Sequence, residues 1–279
     1  RSHLKRHRWL SLALREYLDR RPTPVWTTPV HNVSLLQVRA YQALLHAMET
    51  SASTLFRLTD DVSDCVRDCF PIARSVVETA INVGYIAAGG RTVAEEARQH
   101  SVKRSVLDLN RRLDIGTLRF RHRSRRLGQP DTVPGLRDAL IRMGTEIDRK
   151  PRNWTPLSTP KRIDVILTRL GARIAEPLGH AYFSIYQDAS EVVHGTIYGC
   201  FLSSGKTMVV NQELALHDKA FTILFACSQV LNRAVASVGV AHELEEIVES
   251  ADAFDLLLLK IPVFAEAFSR SARQALRKR

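Results

Sequence analysis

A chain of 279 residues, 45% hydrophobic and 25% charged, can bury a sizeable core, and its composition excludes disordered and collagen-like classes. With 40 Lys/Arg against 29 Asp/Glu it carries a formal charge of +11 and a pI near 9.9, which favours a polyanionic partner: nucleic acid, an anionic membrane or an acidic protein. Four cysteines in this length, Cys65, Cys69, Cys200 and Cys227, make no disulfide framework, so a reducing, cytoplasmic location is expected.

In chain order, residues 3–20 read as an amphipathic helix with Leu4, Trp9, Leu12, Tyr17 and Leu18 near one side. Its charged end does not read as a secretory signal. The stretch RPTPVWTTPVHN holds three prolines and must be extended. Residues 1–33 are thus expected as an N-terminal helix and Pro-rich connection, and 34–279 as the main helical domain. Ser34 is the N-cap of a helix running to about Leu58. Pro71 sits in the first turn of an apolar helix, PIARSVVETAINVGYIAAG, that stops at Gly89-Gly90. Thr92 opens the next, with acidic residues early and basic ones late, the order the helix dipole favours.

Residues 114–133 read as a basic loop or frayed helix end, followed by a helix over 134–148 and one opened by Thr159-Pro160. A second apolar helix spans Tyr182–Gly199. Two extended runs around a Ser-Ser-Gly-Lys turn predict a short β-hairpin near 197–210. A long apolar helix over 213–239, an acidic one near His242 and a C-terminal one complete an all-α fold, an irregular bundle of about nine helices. The apolar run AFDLLLLKIPVFAEAF is broken by Asp255, Lys260 and Pro262, so no integral membrane segment is expected.

The charge is concentrated. Residues 98–173 hold nineteen Lys/Arg against seven Asp/Glu, which leaves the rest of the chain close to neutral. The densest part contains Arg119, Arg121, Arg123, Arg125 and Arg126, interleaved with Phe120 and His122. Arginine forks onto phosphate and stacks on bases, so these five are candidate nucleic-acid contacts, with RNA or single-stranded DNA favoured. The competing reading is a solvated segment that pairs with an acidic protein surface.

Three motif-like stretches carry no cofactor or metal. Gly199 to Thr207 has five residues where a phosphate-binding loop needs four and precedes a strand-like run. His242-Glu243-Leu244-Glu245-Glu246 lacks the second histidine of a zinc-protease helix. Cys65 and Cys69 have no matching second pair at ligand spacing. Neither a cofactor nor a metal is therefore expected.

The specific feature is a pair of polar stripes on the two apolar helices. Arg74, Glu78 and Asn82 recur every fourth residue with Tyr85 a turn on, and Tyr186, Ser190 and His194 do the same downstream. Buried polar groups need partners, and the simplest partner of one stripe is the other. Arg74-x-x-x-Glu78 and Tyr186-x-x-x-Ser190-x-x-x-His194-Gly195 resemble the signature of a bacterial family of helical proteins of unknown function, with an R-S-x-x-E-x-x-x-N-x-x-Y helix and a later Y-x-x-x-S-x-x-x-H-G helix. The resemblance covers about residues 35–240 and brings no reaction, while some relatives look like components of defence or stress loci. Arg39 to His46 also resembles the Arg-x4-6-His pattern of HEPN ribonucleases, a resemblance that implies metal-free RNA cleavage across a homodimer.

Arg74, Glu78, Tyr186, Ser190 and His194 are accordingly the candidate catalytic residues. A carboxylate would hold His194 as a general base, Arg74 would steady a developing anion, and Tyr186 or Ser190 would position substrate. The expected function is engagement of nucleic acid, RNA favoured, with metal-independent cleavage in a defence or stress role. The alternative is a non-catalytic binding or scaffold protein whose stripes hold the core and whose basic face docks an acidic partner.

Overall fold

A computed structural model describes residues 34–59, 66–123, 154–195 and 212–259 of the chain. These fall into two compact units, one drawn from the residues up to Ala88 and those from Thr159 on, the other from Gly89–Ser158. The expected helix at 3–20 and its Pro-rich connection, the helix at 134–148, the hairpin near 197–210, the C-terminal helix and the loop-like Gly199–Thr207 stretch all lie outside the described residues.

The described residues form six helices and one two-stranded sheet. Helix α1, Leu35–Leu58, starts at Ser34, whose hydroxyl accepts from the Gln37 amide while the Gln37 side chain accepts from the Ser34 amide. That reciprocal cap satisfies two otherwise orphaned donors. Helix α2, Val66–Leu109, begins earlier than the sequence suggested, so Pro71 lies inside it. The expected stop at Gly89-Gly90 is real as a break: Gly90 adopts φ 68°, ψ −150° in mid-helix.

After α2 come strands β1, Asn110–Ile115, and β2, Leu118–Arg123, an antiparallel ribbon pairing Leu113 with Phe120 and Ile115 with Leu118. This corrects the expectation of helix end and basic loop there. Leu118-Arg119-Phe120-Arg121 alternates with period two, the strand's own signature, but its charge density reads as a solvated loop. The two-residue connection has Gly116 at φ +56°, the left-handed backbone that tight hairpin turns demand at their first position.

In the first unit, α3, Thr159–Leu170, is followed by α4, a continuous helix made of Ala172–Ala181, a π-helical turn Tyr182–Tyr186 and Gln187–Val193. The expected helix count falls from about nine to six among the described residues for two reasons. Several predicted helices lie outside the described residues, and the two predicted on either side of Gly89-Gly90 are one interrupted element.

Helix α5, Gln212–Ala241, packs against α1, α3, α4 and α6, the last spanning Glu245–Leu259. Residues Asp218–Ala241 are long and apolar enough to cross a membrane by length and composition, yet 94% of the most apolar window is buried inside the protein. In this fold α5 is the core helix. Val230, Leu231, Ala234 and Val238 are buried on it, and each large aliphatic withdrawn from water stabilises the fold by about 1.5–3 kcal/mol.

Two polar clusters cross this core. Arg233 is 1% exposed and pairs with Asp255 of α6, whose other oxygen accepts from Asn232 at 2.6 Å. Tyr41 of α1 meets His242 Nε2 at 3.0 Å. Burial raises the Tyr41 hydroxyl to about 12 and lowers the His242 imidazole, so this pair is held neutral.

Candidate functional site

The polar stripe of α2 exists because Arg74, Glu78 and Asn82 are one turn apart, with Ala73, Val76, Val77, Ala80 and Ile81 buried around them. Burial of those apolar neighbours brings the stripe against α3 and α4, so each polar group must meet a partner there. The two predicted stripes do meet. Arg74, half-buried, donates from Nη2 to the Tyr186 hydroxyl at 3.0 Å and from Nη1 to Ser190 Oγ at 3.4 Å. Its guanidinium carbon also stands 4.4 Å from the centre of the Tyr186 ring, a cation–π arrangement.

Tyr186 is held by the π-helical turn, where it stacks on Tyr182 with ring centres 4.8 Å apart. Such turns occur mostly as single insertions in α-helices, frequently at functional sites. Ser190 follows one α-helical turn later, so the last residue of the π-turn and the α-helical turn after it present their hydroxyls to one arginine.

Glu78 has a different partner from the expected one. It forms an ion pair at 3.8 Å with Arg162 of α3, which is 5% exposed and also donates to Thr159 Oγ1 at 2.7 Å and to Asn82 Oδ1. The sequence reading missed Arg162 because it stands in the basic segment taken as a docking surface. Its signal is positional: Thr159, Arg162 and Ile166 share the buried face of α3, and an arginine on an apolar stripe announces a buried partner.

His194 ends the downstream stripe and is exposed. It caps α4, its amide donating to the Ser190 carbonyl at 2.9 Å, and Gly195 follows at φ +64°. The His-Gly pair therefore closes the helix. Among the described residues the imidazole makes no hydrogen bond or ion pair, with Glu78 or with any other group. The structure thus joins Arg74, Tyr186 and Ser190, gives Glu78 to Arg162, and leaves His194 at the helix end.

Of the basic candidates, Arg119 and Arg121 are exposed on β2 and Arg123 ends that strand, while Arg125 and Arg126 lie outside the described residues. Arg39 and His46 are exposed on α1, two turns apart. Among the described residues no three His, Cys, Asp or Glu are grouped to hold a metal ion. The His242-Glu243 stretch turns the chain from α5 to α6, with Glu243 at φ 57°. Cys69 and Cys227 are buried free thiols, and burial, with Cys69 nearby, pushes the Cys227 thiol up.

Residues 41–204 match a family of unknown function (DUF5677). That is more than half of the chain, and the chain belongs to this family; nothing supports a relation to HEPN ribonucleases. No curated protein and no solved structure matches the chain.

Proposed function

We propose that this member of a family without an assigned reaction engages nucleic acid, RNA favoured, through a phosphate contact at Arg74. The observation that carries this reading is the chemistry around the guanidinium. Its partners are two hydroxyls and a ring, not a carboxylate, so its charge is not neutralised by an acid among the described residues. Among the described residues two of its five N–H donors are engaged. A half-buried, preoriented guanidinium with donors to spare is suited to phosphate oxygens. Arg119 and Arg121 are expected to add long-range attraction for the same polyanion.

The test is fluorescence anisotropy of the full chain with a single-stranded RNA across a salt series. Arg74→Gln is expected to reduce the slope of log affinity against log salt by about 0.7, the value of one lost contact to a single strand. An unchanged slope, with the fold intact by circular dichroism, overturns the proposal.

A second reading, metal-independent RNA cleavage, is favoured by the exposed imidazole of His194 one turn beyond Ser190. In it His194 is the proton acceptor, Arg74 stabilises charge on the phosphate, Tyr186 and Ser190 orient the substrate, and Glu78 acts through Arg162. Cleavage of RNA in EDTA that disappears in His194→Ala, with unchanged melting, supports it. Absence of cleavage in the unaltered protein leaves a non-catalytic binding protein whose seam fastens α2 to α4.

A further inference from the structure

The β1–β2 ribbon has two unlike faces, and both are open to solvent. Leu113, Ile115, Leu118 and Phe120 share one face, as two directly opposed cross-strand pairs, and are 52%, 56%, 58% and 52% exposed. Arg119 and Arg121 stand on the other face, with Asp114 across from Arg119. A two-stranded hairpin is marginally stable alone, and apolar side chains are normally what a ribbon buries to hold its shape. Here they are spent on the outside, at its turn end.

We infer that this ribbon is a docking arm for an anionic lipid bilayer, its four apolar side chains entering the interface while Arg119 and Arg121 reach lipid phosphates. Both faces are needed to select that partner. Arginines alone would suit a nucleic acid equally, but a phosphodiester backbone offers nothing to a strip of leucine, isoleucine and phenylalanine. A second copy of the chain would use the apolar strip, yet four half-exposed side chains supply only on the order of 400 Å² per copy, about 800 Å² in all, below what stable dimers bury. It would also set two arginine-bearing arms side by side. An anionic bilayer takes up apolar side chains and draws in cations together, and long arginine side chains bend back to the headgroup level from an apolar base. The inference shares Arg119 and Arg121 with the nucleic-acid reading but needs neither Arg74 nor its partners, so either can fail without the other.

Flotation of the full chain with vesicles of phosphatidylcholine alone, and of phosphatidylcholine with equimolar phosphatidylglycerol, tests it. The unaltered chain is expected to float with the anionic vesicles only. Arg119→Gln and Arg121→Gln should each weaken partitioning about fivefold, and Leu118→Ser and Phe120→Ser each by about tenfold or more. These positions are exposed on both faces, so melting should be unchanged, which separates lost docking from lost folding. In Phe120→Trp the emission should shift to the blue on anionic vesicles and stay put with RNA. If the unaltered chain fails to float, or the apolar substitutions leave flotation intact, the inference is overturned. RNA binding that depends on Arg119 and Arg121 and ignores Leu118 and Phe120, with no flotation, assigns the arm to nucleic acid.

Discussion

Arg233 on α5 and Arg74 on α2 are both drawn towards the interior by apolar helices, and their surroundings differ in kind. Arg233 is fully buried and meets the Asp255 carboxylate, which also receives Asn232. Arg74 is half-buried and, among the described residues, meets the hydroxyls of Tyr186 and Ser190 and the face of one ring. A charge wholly removed from water must be matched by an opposite charge, whereas one at the rim is satisfied by water and by neutral acceptors. The first arrangement is closed chemistry that fastens two helices. The second retains an electrostatic pull on whatever approaches from outside.

The largest expected effect breaks the closed pair. Asp255→Ala should cost about 3–5 kcal/mol in denaturant unfolding, because it strands a buried guanidinium. Replacing both partners by apolar residues of like volume, Arg233→Met with Asp255→Leu, should restore most of that stability. The distinction between the two arginines fails if Asp255→Ala costs no more than Arg74→Gln. At the open site, Arg74→Gln should cost only about 1–2 kcal/mol, as expected for two partly exposed hydrogen bonds. Tyr186→Phe removes the hydroxyl and keeps the ring, so a loss of about 1 kcal/mol or less is expected.

A smaller effect concerns the neutral pair of Tyr41 and His242. Burial lowers the imidazole below its ordinary value near 6.5. The unfolded chain therefore takes up a proton at higher pH than the folded chain does. Stability from this position is complete above about pH 6.5 and declines as the solution is acidified through that value. Melting temperatures between pH 8 and pH 5 should fall accordingly, and His242→Gln should flatten that part of the profile. A profile unchanged by the substitution would mean that the imidazole is hydrated after all.

The meeting of the two stripes was legible because polar residues at four-residue spacing on otherwise apolar helices cannot be buried without partners. Arg74, Tyr186 and Ser190 follow from that rule alone. The partner of Glu78 was not legible: four-residue spacing pairs it with Arg74, and only the packing of α3 reveals that Arg162 reaches it first. His194 continues the stripe in sequence, but Gly195 ends the helix there and the imidazole stands at its tip. The ribbon was hidden by its own arginines, since charge density outweighed a clear two-residue alternation of Leu118, Phe120 and their neighbours. The long α5 was legible as a helix, whereas its position at the centre depends on which faces α1, α3, α4 and α6 turn towards it.

The π-turn at Tyr182–Tyr186 carries one more residue than an α-helical turn would, and an α-helix advances about 100° per residue. Everything beyond it is therefore indexed by that single insertion. Winding the same residues as plain α-helix would swing Ser190 and everything after it about a quarter of the way round the axis. Loss of the wide turn alone would thus disconnect the seam while preserving every side chain that composes it.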